Sequence, residues 1–503
     1  FRSGHDFASH NPVSKAMQSM VDALGDAGLE AETARLEGFY ESVRRRAGEV
    51  TSAEGKQQVI AELYEKFFRI GFKKQAEALG IVYTPVEIVD FILRAADTAS
   101  RQHFGRGLTA EGVHILDGFV GTGTFITRLL QSDLITPQDL ARKYANELHA
   151  NEIMLLAYYI AAVNIETTYH ALVGKTAGAD DYEPFNGIVL ADTFQISETD
   201  DSLDSIMFPQ NNDRIVRQLE TPIHVIVGNP PYSVGQTSAN DLNANVKYPT
   251  LDGRIEATYA KRSSATSQRT LYDSYIRAFR WAADRIGDNG VVAFVSNGGW
   301  IDGNTADGMR LSLADEYASI YVYNLRGNAR TAGELRRKEK GNVFGSGGRT
   351  TIAIFIGIRD TTHAGPCQVF YRDIGDYLTR EEKLAIVAVG NLDSIDWQSI
   401  ASNEHGDWVS QRSDEFLAWP VLGQKRGSVD AVEVFGNYSL GLATGRDVWC
   451  YNASESALTD NVNTMISAYE LARQTFHETT TVRKPNEAVV NEFLDAHPSL
   501  VKD

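Results

Sequence analysis

Apolar residues recur along this 503-residue chain at two different spacings. Over residues 12–72 they come three and four apart (Met17, Met20, Val21, Leu24, then Leu63, Phe67, Ile70), which predicts helices. Thr84, Pro85 and Glu87 read as an N-cap, a proline at the first helical position and an acid in the first turn, predicting a helix through 96. Beyond 113 the pattern changes. Short apolar runs at 113–116 (interrupted by His114), 188–190, 225–227 and 291–295 predict buried strands. Between them lie helical segments from 124, at 153–165 and at 271–286. Such alternation predicts an α/β fold with a mostly parallel, doubly wound sheet, whose ligands bind at the carboxyl ends of the strands.

Two stretches break the alternation. Residues 233–270 are polar, without a sustained period, and predict a long loop or lid. After 357 the alternation fades, and 360–429 reads as a mixed connector before "GLATGRDVWCYN" (441–452) opens a further module. The expected organisation is a helical region over 1–75, a sheet-bearing domain over 76–359, and a connector leading into another domain over 360–503.

Composition narrows the class. A 43% hydrophobic content with 10% aromatics describes a folded protein. The two cysteines, Cys367 and Cys450, form neither a metal spacing nor a disulfide framework, which suits a reducing cytoplasm. The longest apolar stretch is too short to span a bilayer, so no membrane partner is expected. A net charge of −18 argues against a protein that coats nucleic acid nonspecifically. Basic residues nevertheless cluster twice: Arg326, Arg330, Arg336, Arg337, Lys338, Lys340 and Arg349, and earlier Arg254, Lys261, Arg262, Arg269, Arg277 and Arg280. Each cluster reads as solvated surface or as a phosphate-binding patch.

Candidate chemistry gathers at the strand ends. In "HILDGFVGTGTF" an apolar strand ends at Asp117, and Gly118, Gly121 and Gly123 lead into a helix whose first N–H groups are free. Read alone, this could be a mononucleotide site, a dinucleotide site or a tight turn. It lacks the Gly-Lys-Ser/Thr ending of an ATP-binding loop and a good G-x-G-x-x-G spacing. The acid ahead of the glycines suits a ligand with a positive centre, such as a sulfonium amino acid. Glu147 in "YANELHANEI" is expected at the end of the next strand, where a carboxylate can take both hydroxyls of a ribose, and Asp192 ends another. "VIVGNPPY" then runs a buried strand into Asn229, Pro230, Pro231 and Tyr232. The prolines stiffen the turn. The Asn229 carboxamide and the Pro230 carbonyl could thus be fixed as acceptors for an exocyclic amine, with Tyr232 as a platform for an unstacked base.

In order, "YTPVEIVDFI", "LDGFVGTGTF", "NEL", "ADTF" and "NPPY" resemble the motifs of the γ-class amino-DNA methyltransferases. "ELHANEIMLLAYYIAAVNIE", "LYDSYIRA", "WIDGN" and "NLRGNARTAGELRRKEKGNVF" are similar to the methyltransferase part of type ISP (single-polypeptide type I) restriction-modification enzymes. The resemblance runs over roughly residues 62–452. It implies a Rossmann-like sheet, S-adenosylmethionine as methyl donor, no metal, and N6 of an adenine flipped from double-stranded DNA as the target, methylated by direct in-line displacement. Tyr83, Thr84 and Pro85 would flank the methionine end of the donor, with Asp117, Gly121 and Gly123 beneath it. Gly118 stands where many relatives have proline and leaves the turn freer. Glu147 would hold the ribose, and Asp192 with Phe194 the donor's adenine. Asn229, Pro230, Pro231 and Tyr232 would hold the target, with Phe344 or Phe355 as a second aromatic. Arg262, Arg330, Arg337, Lys338 and Phe344 are the DNA-contact candidates.

Complete type ISP proteins resemble a nuclease and a translocating helicase ahead of this part and a target-recognition domain after it. The expectation is therefore a bacterial cytoplasmic segment whose first seventy-odd residues couple to that nuclease–helicase portion. The competing expectations are N-methylation of a protein glutamine or an RNA base, and a non-catalytic DNA-recognition segment that only senses the cofactor.

Overall fold

A computed structural model describes residues 9–24, 84–174, 182–198, 208–232, 248–265, 267–345, 349–413, 415, 418–420, 422–423, 432–436, 446–480 and 487–500. The boundary expected near residue 75 and the site residue Tyr83 lie outside them. The chain falls into two compact units, 1–412 and 413–503.

In the larger unit nine strands form one sheet: β1 (Ile115–Asp117), β2 (Leu148–Glu152), β3 (Ile188–Leu190), β4 (Val225–Gly228), β5 (Asn289–Asn297), β6 (Ser319–Arg326), β7 (Ile352–Asp360), β8 (Gln368–Asp373) and β9 (Gln398–Ile400). Their order is β3-β2-β1-β4-β5-β7-β6-β8-β9. The first five are mutually parallel, and β7 runs antiparallel between β5 and β6. The chain winds outward from β1 to β3, then crosses back to β4 on the other side of β1. The carboxyl ends of β1 and β4 therefore border the point where winding reverses, the place where a doubly wound sheet opens a crevice. The expected α/β doubly wound fold is what forms.

Helices cover both faces: α1 (Pro12–Leu24), α2 (Val86–Phe104), α3 (Thr124–Gln131), α4 (Leu155–Leu172), α5 (Pro209–Glu220), α6 (Pro249–Ile255), α7 (Ser274–Arg285), α8 (Asp307–Glu316), α9 (Gly333–Glu339) and α10 (Arg380–Val389). One core joins α2, α3, α4 and α10 to the sheet, and a second joins α6, α7 and α8 to it. α2 runs past the expected 96 because its buried stripe continues through Ala99. It ends where Gly105 takes a left-handed conformation (φ 68°).

Two expectations are corrected here. The polar stretch 233–270 is not a loop throughout. Tyr248, Leu251, Ile255 and Tyr259 are buried at helical spacing on α6 and the π-turn that continues it. Residues 233–247 lie outside the described ones. The boundary drawn at 359/360 cuts the sheet, because β8 pairs in parallel with β6 beyond it, from Ser319↔Gln368 to Asn324↔Asp373.

In the smaller unit, α11 (Glu455–Thr479) starts at Ser454, whose hydroxyl accepts from the Ala457 N–H. Phe476 meets Phe493 of α12 (Glu487–Ala496) edge to face at 5.0 Å.

Candidate active site

Parallel register brings the strand-end residues to one edge. Asp117 pairs with Ala150 of β2 and Val227 of β4, and Glu152 with Leu190 of β3. Asp117 is fully buried. Its Oδ1 accepts the Phe119 N–H at 3.0 Å, while Oδ2 has no hydrogen-bond partner among the described residues. Burial raises its carboxyl to about 7, the Phe119 N–H opposing and nearby Glu152 adding to the rise. Gly228 leaves room for this group, since a Cβ there would come 3.0 Å from Asp117 Oδ1. At Gly118 the reason for glycine is space rather than a freer turn, for a Cβ would lie 2.6 Å from the Trp281 ring. Gly123 (φ 88°) leads into α3 hard against the α4 backbone, whereas a Cβ at Gly121 (φ 55°) would meet nothing within 4 Å. The loop thus packs closely at its ends and is open at Gly121.

The acid expected at the end of β2 is not Glu147. Glu147 precedes the strand, at the opposite edge of the sheet, and its carboxylate is already occupied. Arg142 Nη1 approaches to 2.5 Å, Lys143 Nζ to 2.7 Å, and the Gly112 N–H donates at 2.8 Å. Burial alone would raise the Glu147 carboxyl, but Lys143, Gly112 and Arg142 together hold it below its ordinary value. The residue that does end β2 is Glu152, from the second Asn-Glu pair of the same stretch. Its oxygens accept the N–H groups of Gly121 (2.9 Å) and Met154 (2.8 Å), tying the strand end to the glycine turn. Burial raises it to about 7 against those bonds.

Asp192 follows β3 as expected, accepting the Phe194 N–H (2.9 Å) and the Tyr248 hydroxyl (2.8 Å). Phe194 is buried, with Phe119 at 5.6 Å and Tyr248 at 5.3 Å between ring centroids.

β4 delivers Asn229 to the crevice, followed by buried Pro230 and part-buried Pro231 and Tyr232. Thr84 does not cap α2. Pro85 takes the N-cap position, and the Thr84 hydroxyl instead accepts from Asn229 Nδ2 at 2.9 Å. Burial pushes the Tyr232 phenol well above its ordinary value, so it is neutral. The structure also separates the two candidate aromatics. Phe344 meets Tyr232 edge to face at 5.7 Å and 75°, while Phe355 is enclosed in the second core by Phe279, Trp300 and Tyr317.

Ion pairing sorts the basic residues. In the earlier cluster Arg254 and Arg280 bind Asp284, Arg277 binds Asp252, and Arg262 binds exposed Asp315. Arg280 is buried and Arg277 part-buried, while Arg254, Lys261, Arg262 and Arg269 are exposed. In the later one Arg326 is held by Asp373 and Asp376, Arg337 by Glu334 and Lys338 by Asp376, the last at 3.3 Å. Arg330 makes no ion pair among the described residues. No described group of His, Cys, Asp and Glu is arranged to hold a metal ion, and no described helix is long and apolar enough to cross a membrane.

A doubly wound sheet with acids ending β1 and β2 and following β3, and Asn-Pro-Pro-Tyr after β4, defines a Rossmann-like methylase of the γ class. A family model described as N-6 DNA Methylase matches residues 55–268. Two more match on either side: the type ISP restriction-modification enzyme coupler domain over 1–55 and the type ISP C-terminal specificity domain over 433–495. The chain belongs to the type ISP restriction-modification enzymes, as a segment running from coupler through methylase to specificity domain. It is 45% identical to a nuclease-deletion mutant of the type ISP enzyme LlaGI, solved with a DNA substrate mimic (TM-score 0.85; 97% of this chain, 39% of that one). It is 42% identical to the ATP-dependent type ISP enzyme LlaBIII bound to DNA (TM-score 0.82; 93% and 31%). It is also 33% identical to DrdV in a DNA complex (TM-score 0.84; 97% and 48%). The chain thus spans less than half the length of each. No curated protein sequence matches it.

Proposed function

We propose that this chain transfers a methyl group from S-adenosylmethionine to N6 of an adenine in double-stranded DNA, as the modification part of a restriction-modification enzyme. The observation that carries the reading is the Asn229 corner. A carboxamide is braced from a second segment by Thr84, beside buried Pro230 and an edge-to-face pair of aromatics. Aromatic walls around fixed acceptors suit a base turned out of its stack. The Asn229 oxygen and the Pro230 carbonyl hold the amine, and Tyr232 with Phe344 hold the ring.

The residues also fit the donor. Asp117 carries a buried oxygen without a described partner, beside a turn open at Gly121, which suits a ligand of positive charge. Asp117, Gly121 and Gly123 would hold its methionine end, Glu152 its ribose in place of Glu147, and Asp192 with Phe194 its adenine. Thr84 serves the site through Asn229, and Pro85 starts the helix that follows it. When bound, the donor supplies a methyl group already activated by its sulfonium. The protein's task is then to place and orient the amine.

DNA contact falls to Arg330 and to Arg262, Arg337 and Lys338. Their exposed ion pairs contribute little in water and can yield to phosphates. The further partner is a nuclease and ATP-driven motor on the same polypeptide or in the same complex, in keeping with the relatives' greater length.

The test is tritiated-methyl transfer to duplex DNA, RNA and protein by the wild-type chain and by Asn229→Ala. Label in DNA as N6-methyladenine is expected, falling by about 100-fold or more in the variant, with donor affinity kept within about twofold. Label only in RNA or protein, or undiminished transfer by the variant, overturns the reading.

A further inference from the structure

Phe344 belongs to no helix or strand. It follows α9 on an irregular turn, 339–344, whose carbonyls point inward and are met by side chains from elsewhere. Lys383 of α10 is fully buried, and its ammonium donates to the Glu339 carbonyl at 3.0 Å and the Gly341 carbonyl at 2.6 Å. Arg380, one turn earlier, donates to the Val343 carbonyl at 2.9 Å. Asn342 completes the clamp. Its Nδ2 donates to Gly327 O (3.1 Å) and Thr350 O (2.9 Å), and its Oδ1 accepts the Phe344 N–H itself (2.9 Å). There is no slack at Gly341, where a Cβ would lie 2.2 Å from the Arg380 nitrogen.

The helix that supplies the lysine is itself fixed at both ends. Thr379 and Glu382 form a capping box at its start. Arg94 of α2 donates to Ala388 O (2.8 Å) and Gly390 O (2.9 Å) at its end. A buried ammonium is costly and is retained only where it is well bonded. Burial lowers Lys383 to about 8, opposed by Glu339 and Asp373 and reinforced by Arg326 and Arg336. Bonds from a charged donor to two carbonyls are stronger than neutral ones, and they fall three and five residues before Phe344.

We propose that Lys383 is a positioning residue that acts through Phe344, fixing the aromatic wall of the target-base pocket against Tyr232. This rests on the function proposed above.

A double-mutant cycle on the full 503-residue chain tests this, using Lys383→Met, Phe344→Leu and the two combined, with methyl transfer to duplex DNA as readout. Lys383→Met is expected to lower kcat about tenfold, leaving KM for DNA and the calorimetric Kd for S-adenosylmethionine within about twofold. In the Phe344→Leu background it is expected to cost less than a further twofold, because residues acting as one unit are non-additive. Arg380→Met, at a part-exposed position, removes one bond from the same turn. It is expected to give a smaller loss with the same non-additivity, and it decides the matter alone if Lys383→Met does not fold. Losses that multiply in the double variants, or a Lys383→Met enzyme equal to wild type, overturn the positioning role and leave the parent function standing. A wild-type chain that binds the donor and labels no DNA overturns both.

Discussion

Asp117 gives the proposed donor site a measurable pH signature. Moving its carboxyl from 3.8 to about 7 sets about 4 kcal/mol against ionisation. A ligand whose positive centre needs the carboxylate must overcome that, and does so more easily as pH rises. At pH 6 about a tenth of Asp117 is ionised and at pH 8 about nine-tenths, so donor affinity is expected to rise about tenfold across that interval. Glu152, raised in the same direction, steepens the trend. In the ligand-free protein stability runs the other way. The fold holds a proton that the unfolded chain releases near pH 4, so stability declines as pH climbs from about 4 towards 7. Isothermal titration calorimetry with S-adenosylmethionine between pH 5.5 and 8.5, in two buffers of different ionisation enthalpy, measures both affinity and proton release. Asp117→Asn keeps an acceptor for the Phe119 N–H but removes the titration. Its affinity is expected to be low throughout and its pH slope shallower than wild type. A wild-type affinity that is flat between pH 6 and 8, or an Asp117→Asn variant that matches wild type at pH 8, would refute the assignment.

Thr84→Val removes the acceptor that braces Asn229 while preserving shape. It should cut methyl transfer by about tenfold with donor Kd unchanged, whereas a Thr84 that served the donor directly would show its loss in Kd. The two acids of the β2 region should separate cleanly. Glu147→Gln leaves buried Lys143 without its charge partner and should cost on the order of 3 kcal/mol in urea denaturation, with donor affinity kept. Glu152→Gln should instead weaken donor binding about tenfold or more, with the smaller stability loss of the two.

The strands of the central sheet were readable because parallel strands buried on both faces are short apolar runs, as at 188–190 and 225–227. Strand β2 was harder, since Leu-His-Ala-Asn-Glu resembles neither an apolar run nor an alternating one. Its flanks carry Asn-Glu twice, at 146–147 and 151–152. Choosing the first pair put the proposed ribose acid about 16 Å away, on the opposite edge of the sheet. The spacing of Tyr248, Leu251, Ile255 and Tyr259 was in the sequence but masked by the polar residues between them. Other features were not local. Nothing near Arg280 announces its second ion pair, with Glu316 at 2.7 Å, nor does anything near Lys383 announce the Glu339 carbonyl. Both Phe344 and Phe355 sit near glycines, and only the pairing of β7 with β5 and β6 turns Phe355 into the second core.

Charge is distributed unevenly across the crevice, and this bears on how the reaction can run. The ends of β1 and β2 carry two carboxyls that burial holds near the middle of the physiological range, ready to be pulled into ionisation by a cation. The end of β4 carries neutral groups: a carboxamide, a carbonyl and a phenol whose ionisation burial suppresses. Tyr232 therefore cannot serve as a general base near neutrality, and Asn229 and Pro230 can only accept hydrogen bonds. An aromatic amine needs no prior deprotonation if its geometry is set, and every constraint around Asn229 and Phe344 sets geometry. Thr84 reaches the asparagine from the segment before α2, and Lys383, Arg380 and Asn342 hold the aromatic from α10 and its turn. α2 and α10 are themselves bonded through Arg94, so the two walls of the proposed target pocket are referred to one pair of helices. Rate should accordingly respond steeply to displacements of these supports, while the pH dependence of donor binding stays with the acids across the crevice.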